Sequence, residues 1–276
     1  MDSKKRRRFP AGKIAVYSGL LLFALWSLFP IIWVVRTSLG PDAAPMGADN
    51  PFDFNPRFDN YYNVWAHTNF RDALTNTVTI SVTATFLSTL LGVTAAYSLA
   101  RFRFRGNKPL LQWILSIRLA PAIAFVVPFF IIFKTLELLD TPIALIITYT
   151  AFLLPFSIWL LASFIREVPM EAEQAALVDG CDHLQVLRRI VLPQIWPAIG
   201  VVALLNLVAA WTEFLFALTL TSVDSVTLPV TMSNFFGERG VMWGQITAAA
   251  VMTMVVPITL AVAIQRYLLR GISLGS

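Results

Sequence analysis

The chain is threaded by long runs of apolar residues, near 14–35, 75–100, 109–133, 142–165, 195–220 and 246–269. Each can cross roughly 30 Å of hydrocarbon as a helix, in a medium where a backbone must satisfy its own hydrogen bonds. The runs show no period-two alternation of polar and apolar residues, which argues against a transmembrane barrel. Composition agrees, because 57% of the 276 residues are hydrophobic and only 13% are charged, far from the balance of a soluble domain. The predicted fold class is all-α, a polytopic membrane protein with about six transmembrane helices.

Orientation follows from charge. Lys4, Lys5, Arg6, Arg7 and Arg8, then Arg101, Arg103, Arg105 and Lys108, then Arg166, Arg188 and Arg189, and finally Arg266 and Arg270 all fall on one side of such a bundle. Asp42, Asp49, Asp53, Asp59, Asp72, Glu137, Asp140, Asp224 and Glu238 fall on the other. The positive-inside rule then predicts that both termini are cytoplasmic. Residues 1–13 form a basic cytoplasmic N-terminus and 14–276 the transmembrane domain, with an external loop at 37–74 and a cytoplasmic loop at 166–194. The net charge of +5 reads as topology and contact with anionic lipid, not as a nucleic-acid surface. Although a basic stretch precedes the first run as in a signal peptide, the run is too long and lacks a small-x-small cleavage site, so a retained anchor is expected. With one cysteine, Cys181, and two histidines, His67 and His183, there is no basis for an intrachain disulfide or a multi-histidine metal site.

The loop at 166–194 is too polar for hydrocarbon, yet it has the grammar of helices. Pro169 suits a first turn, Glu171 and Glu173 suit its positive dipole end, Ala172, Ala175 and Ala176 favour helix, and Gly180 suits a left-handed stop. Asp182 with Gln185 has the spacing of a capping box, and Leu184, Leu187 and Ile190 or Val191 recur at helical spacing until Pro193, where the run is expected to end. Two short helices meeting at a glycine would make a compact knob, either for a partner to grip or simply packed on its own protein.

The spacing of this loop resembles the pattern Glu-Ala-Ala, three residues, Gly, nine residues, Ile-x-Leu-Pro of permease subunits in bacterial ABC importers. Ala175, Ala176, Asp179, Gly180, Ile190, Leu192 and Pro193 fall in register, while Gln174 stands at the glutamate of the triplet with Glu173 before it, and Cys181 stands where alanine is usual. The segments 96–106, 150–156 and 265–271 resemble carbohydrate-type members such as the smaller six-span permease of the maltose importer. This resemblance implies a type I ABC importer permease fold in a bacterial inner membrane. It also implies that the knob, through Glu173, Gln174, Ala175, Ala176, Asp179, Gly180, Ile190, Leu192 and Pro193, couples to a cytoplasmic ATPase. The implied partners are a second permease subunit, two ATPase subunits, an extracytoplasmic binding protein and a sugar or polyol as cargo.

No Gly-x-x-x-x-Gly-Lys-Ser/Thr phosphate loop occurs in this sequence. The chain is therefore expected to be a pore subunit and not an enzyme, with no catalytic residues and no cofactor of its own, ATP and Mg being held by the partner ATPases. Charges inside spans are costly and usually functional, which makes Arg118 and Glu213 candidates for the substrate path, alone or as a pair. Tyr149 and Trp211 are aromatic candidates for stacking on sugar rings. Pro121, Pro128, Pro155 and Pro257 interrupt spans and free carbonyls that hydrocarbon cannot satisfy, so kinks facing protein or water are expected there. The alternative is a secondary transporter or channel not coupled to ATP, which would call for ion-coupling carboxylates at mid-membrane and internal repeats. Glu213 is the one candidate acid.

Overall fold

The computed structural model describes residues 11–41, 56–102, 104–237 and 240–272. The basic run 4–8, Asp42, Asp49 and Asp53 of the loop 37–74, Arg103 and Glu238 lie outside the described residues. In chain order the helices are α1 (Ala11–Ser38), α2 (Asp59–His67), α3 (Phe70–Arg101), α4 (Asn107–Ile117), α5 (Ile123–Thr135), α6 (Pro142–Glu167), α7 (Met170–Val178), α8 (His183–Val186), α9 (Leu192–Trp211), α10 (Leu215–Leu220), α11 (Leu228–Ser233) and α12 (Trp243–Ile272). A π turn, Leu187–Val191, joins α8 to α9, and a two-residue antiparallel pairing sets Phe236 opposite Val241. Among the described residues five helices are long and apolar enough to span a membrane: α1, α3, α6, the continuous rod His183–Trp211, and α12.

Two of the expected apolar runs are interrupted. The run at 109–133 is split into α4, of 11 residues, and α5, of 13, each shorter than the hydrocarbon is thick. Pro121 explains the break, because it lacks an N–H and forces the residue before it out of the helical region. Around it the chain tightens into three-residue turns, with Arg118 N–H bonded to Leu115 C=O, Leu119 to Ser116 and Ala120 to Ile117. The run at 195–220 breaks at Thr212–Phe214, and its helix begins well before residue 195, inside the polar loop.

The chain divides into two compact units, Met1–Thr68 with Phe235–Met252, and Asn69–Asn234 with Thr253–Ser276. In the first, Asn60 of α2 donates to Ser38 C=O (3.0 Å) and Gly40 C=O (2.7 Å), tying this short helix to the end of α1. In the second, α3 and α6 form the central pair. Along α3 the buried positions Ala84, Ser88, Gly92 and Ala96 recur every fourth residue, a stripe of small side chains that lets two backbones approach where lipid supplies no hydrophobic drive. A Cβ at Gly92 would sit 2.6 Å from Ser157 Cβ of α6. Asn206 of α9 completes the junction, donating to Ser157 Oγ (2.7 Å) and Ser88 Oγ (3.3 Å).

Candidate functional site

The polar loop between α6 and α9 folds by local rules. Its first helix, α7, begins after the extended residues Val168 and Pro169, with Glu171 and Glu173 in the first turn. It ends as a Schellman motif: Cys181 N–H bonds Ala176 C=O (3.0 Å) and Gly180 N–H bonds Leu177 C=O (3.1 Å). That closure needs a left-handed residue, and Gly180 supplies it at φ 89°. The next helix starts at once with a complete capping box, in which Gln185 N–H donates to Asp182 Oδ1 (2.7 Å) and Asp182 N–H to Gln185 Oε1 (3.2 Å).

Pro193 does not stop the run as expected. The π turn bonds Leu192 N–H to Leu187 C=O, five residues back, and Pro193 then occupies the first turn of α9, where a missing N–H is harmless. Gln194 Nε2 reaches back to Ile190 C=O (2.9 Å). The second helix of the knob is therefore continuous with α9 in one rod, the segment His183–Trp211.

The two sides of the knob differ. Inward, Ala176, Val186, Leu187 and Val191 are buried against Ala96 and Tyr97 of α3 and Ile165 of α6, with Ile190 and Leu192 partly buried against the same cluster. Outward, Gln174, Ala175, Asp179, Gly180 and Pro193 are exposed. Beside them Met170, Leu177, Val178 and Leu184 stand out as exposed apolar residues, Val178 at 87%. Leu184, expected to share an apolar stripe with Leu187, instead joins this outer patch. Exposed apolar side chains grouped on an otherwise polar loop are the composition of an interaction surface in general.

Glu173 faces the other way. It is buried, and its Oε1 accepts from Arg101 Nε (2.7 Å) while its Oε2 accepts from Tyr97 O–H (3.3 Å). The same guanidinium donates through Nη2 to Val168 C=O (2.8 Å). Sequence reasoning counted Arg101 only as a cytoplasmic charge and passed over Tyr97. Their spacing of one helical turn on α3 was the available signal.

The candidate path residues fall into separate places. Arg118, at the end of α4, is exposed and lies over the ring of Phe156 at 4.5 Å, in a cleft of about 580 Å³ lined by Gln112, Ser116, Phe156 and Trp159. Tyr149 and Trp211 are buried. Tyr149 O–H donates to Glu213 Oε2 (2.8 Å), and Glu213 also accepts from the Phe216 (3.0 Å) and Ala217 (3.2 Å) N–H groups. The carboxylate thus caps α10 where the fifth run breaks, satisfying amides that the interruption frees. Arg118 and Glu213 are engaged by different partners and not by each other.

On the opposite side of the helices, Asp140 sits at φ 57° between α5 and α6. Its carboxylate accepts from the N–H groups of Ser222 (3.0 Å), Val223 (2.9 Å), Asp224 (3.1 Å) and Ser225 (3.1 Å) and from the Ser222 hydroxyl (2.8 Å). Burial alone would raise its pKa, but the hydrogen bonds from Ser222, Asp224 and Val223 outweigh that and hold it well below the usual carboxylate range.

Comparison with known proteins places this geometry. Residues 88–274 match the family described as binding-protein-dependent transport system inner membrane component. The trehalose transport system permease protein SugB of Mycobacterium tuberculosis is 32% identical, over 91% of this chain and 92% of that one. The trehalose/maltose transport system permease protein MalG of Thermococcus litoralis is 30% identical, over 96% of each. Among solved structures, a bacterial ABC transporter involved in import of the acidic polysaccharide alginate superimposes with a TM-score of 0.77 at 24% identity, covering 96% of this chain and 99% of the other.

Proposed function

Because the chain belongs to the family of inner membrane components of binding-protein-dependent transport systems, we propose that it forms one wall of a sugar or polyol path, driven by ATPase subunits that dock on the outer face of α7 and α8. The observation that carries this reading is the exposed apolar patch of Met170, Leu177, Val178 and Leu184, held on a knob whose inner face is packed into the membrane domain. ATP and magnesium are held by two such partner subunits. A second permease supplies the facing wall, and an extracytoplasmic receptor delivers the cargo. Both termini lie on the cytoplasmic side in this reading, which the distribution of Lys and Arg supports.

The cargo class rests on chemistry near the break in the third run. Aromatic faces at Phe156 and Trp159 beside the Arg118 guanidinium suit a ring with an apolar face and hydroxyl edges. The relatives named for trehalose and for trehalose or maltose transport support the same class. Closure of the ATPases moves the knob, and because α8, the π turn and α9 form one rod, that displacement enters the membrane directly.

The test is reconstitution with the partner subunits and loaded receptor, comparing wild type with Val178→Asp and Ala175→Glu. Both positions are exposed, so both variants should insert normally. The expected outcome is loss of ATPase co-purification and of receptor-stimulated hydrolysis by about tenfold or more, as for an interface centre. Full co-purification and stimulation in both variants would refute the docking assignment.

A further inference from the structure

The rod His183–Trp211 carries displacement from α8, but α7 is not part of that rod and needs its own link to the helices. Covalently, α7 follows α6 through Val168 and Pro169, two residues in extended conformation. Non-covalently, α7 is anchored elsewhere. The Arg101 guanidinium, at the last turn of α3, grips the lead-in to α7 at Val168 C=O and the first turn of α7 at Glu173 together. The two charged side chains are only 8% and 6% exposed, and Tyr97, one turn earlier on α3, holds the second carboxylate oxygen.

From this geometry we propose that the Arg101–Glu173 ion pair, with Tyr97, is the strut through which the knob moves α3, converting displacement of α7 into movement of the central helix pair. The proposal rests on the docking reading above and names the residues that transmit the stroke. A buried ion pair is a poor device for stability alone, since an apolar pair of similar size often does as well. What the pair supplies is direction: guanidinium is planar, and its separate nitrogens Nε and Nη2 hold two acceptors in fixed directions, which the single freely rotating nitrogen of an ammonium does not impose. Because the strut ends on α3, the stroke enters the helix carrying the small-residue stripe of Ala84, Ser88, Gly92 and Ala96. Packed helices shift between discrete arrangements, so a small displacement of α7 can be amplified into reorientation of α3. Gln174, at the triplet's glutamate position, is exposed and leaves the inward carboxylate to its neighbour Glu173. Arg101 and Glu173 are accordingly positioning residues, acting on the path through α3.

The experiment uses the reconstituted complex and reads sugar transported per ATP hydrolysed, a ratio that loss of folded protein alone does not change. Arg101→Met/Glu173→Met removes the strut without leaving a buried unpaired charge. Arg101→Lys keeps the charge but loses the separate planar donors that hold Glu173 and Val168 in fixed directions. In both, ATPase subunits should still co-purify, while transport per ATP falls by about tenfold in the double variant and by a smaller factor in Arg101→Lys. A wild-type ratio in either variant would overturn the strut. Its failure is distinct from failure of the docking reading, because Val178→Asp would still abolish co-purification if only the strut were wrong. Should the double variant fail to insert, Arg101→Lys alone decides the matter.

Discussion

Asp140 shows how one side chain can organise a turn with no help from secondary structure. Four amides converge on its carboxylate from 222–225, and its own N–H returns a bond to Leu220 C=O at 2.9 Å. A carboxylate whose folded pKa is depressed stabilises the fold above its unfolded pKa, and that contribution disappears only as pH falls through the lower folded value. The turn at 222–225 should therefore stay protected against amide exchange from neutral pH down to about pH 4. Asp140→Asn, which tolerates the same left-handed backbone but lacks the charge, should lose about 1 kcal/mol of local protection across that range. Exchange rates of the 222–225 amides check both, and equal protection in the variant would remove the argument. Such a cluster was illegible in the sequence, where Asp140 counted only as an external charge, because its partners lie 82 to 85 positions away. Glu173 was unreadable for the same reason. Its place beside the triplet suggested docking, and nothing local revealed Arg101 beneath it.

Among elements, those governed by short-range chemistry were legible. Gly180 and the Asp182–Gln185 box are each recognisable within a few residues, since a left-handed stop and a reciprocal cap depend only on neighbours. Interruptions were harder to place. Pro121 does break its run, but Pro193, chemically identical, does not, because the π turn before it puts the missing N–H in a first turn. The break at Thr212–Phe214 has no proline and is recognisable only from Glu213 capping α10. Packing between elements is also invisible in local pattern until the small residues of α3 are laid against α6. Gly92→Ala should push these helices apart and destabilise the protein by about 1–3 kcal/mol, the usual range for overpacking. Thermal unfolding in detergent measures this, and a variant as stable as wild type would mean that α6 yields to the methyl group without strain.

For the whole molecule, long apolar runs and the asymmetry of Lys and Arg were enough to predict a polytopic helical protein, and the spacing from Ala175 to Pro193 pointed to its family. The division of the knob into two faces was not accessible that way. Residues that the resemblance groups together separate in three dimensions into an outer set, with Gln174, Ala175, Asp179 and Gly180, and an inner set, with Glu173, Ala176, Ile190 and Leu192. A transporter powered from outside needs both, one to receive the stroke and one to pass it inward. Hydrogen exchange across 170–186, in the complex with and without its ATPase subunits, tests this most directly. The expected result is slowing by about tenfold or more through α7 and α8 when the ATPases are bound, as docking suppresses local opening. Unchanged exchange there, with new protection confined to other loops such as 104–109, would contradict the account.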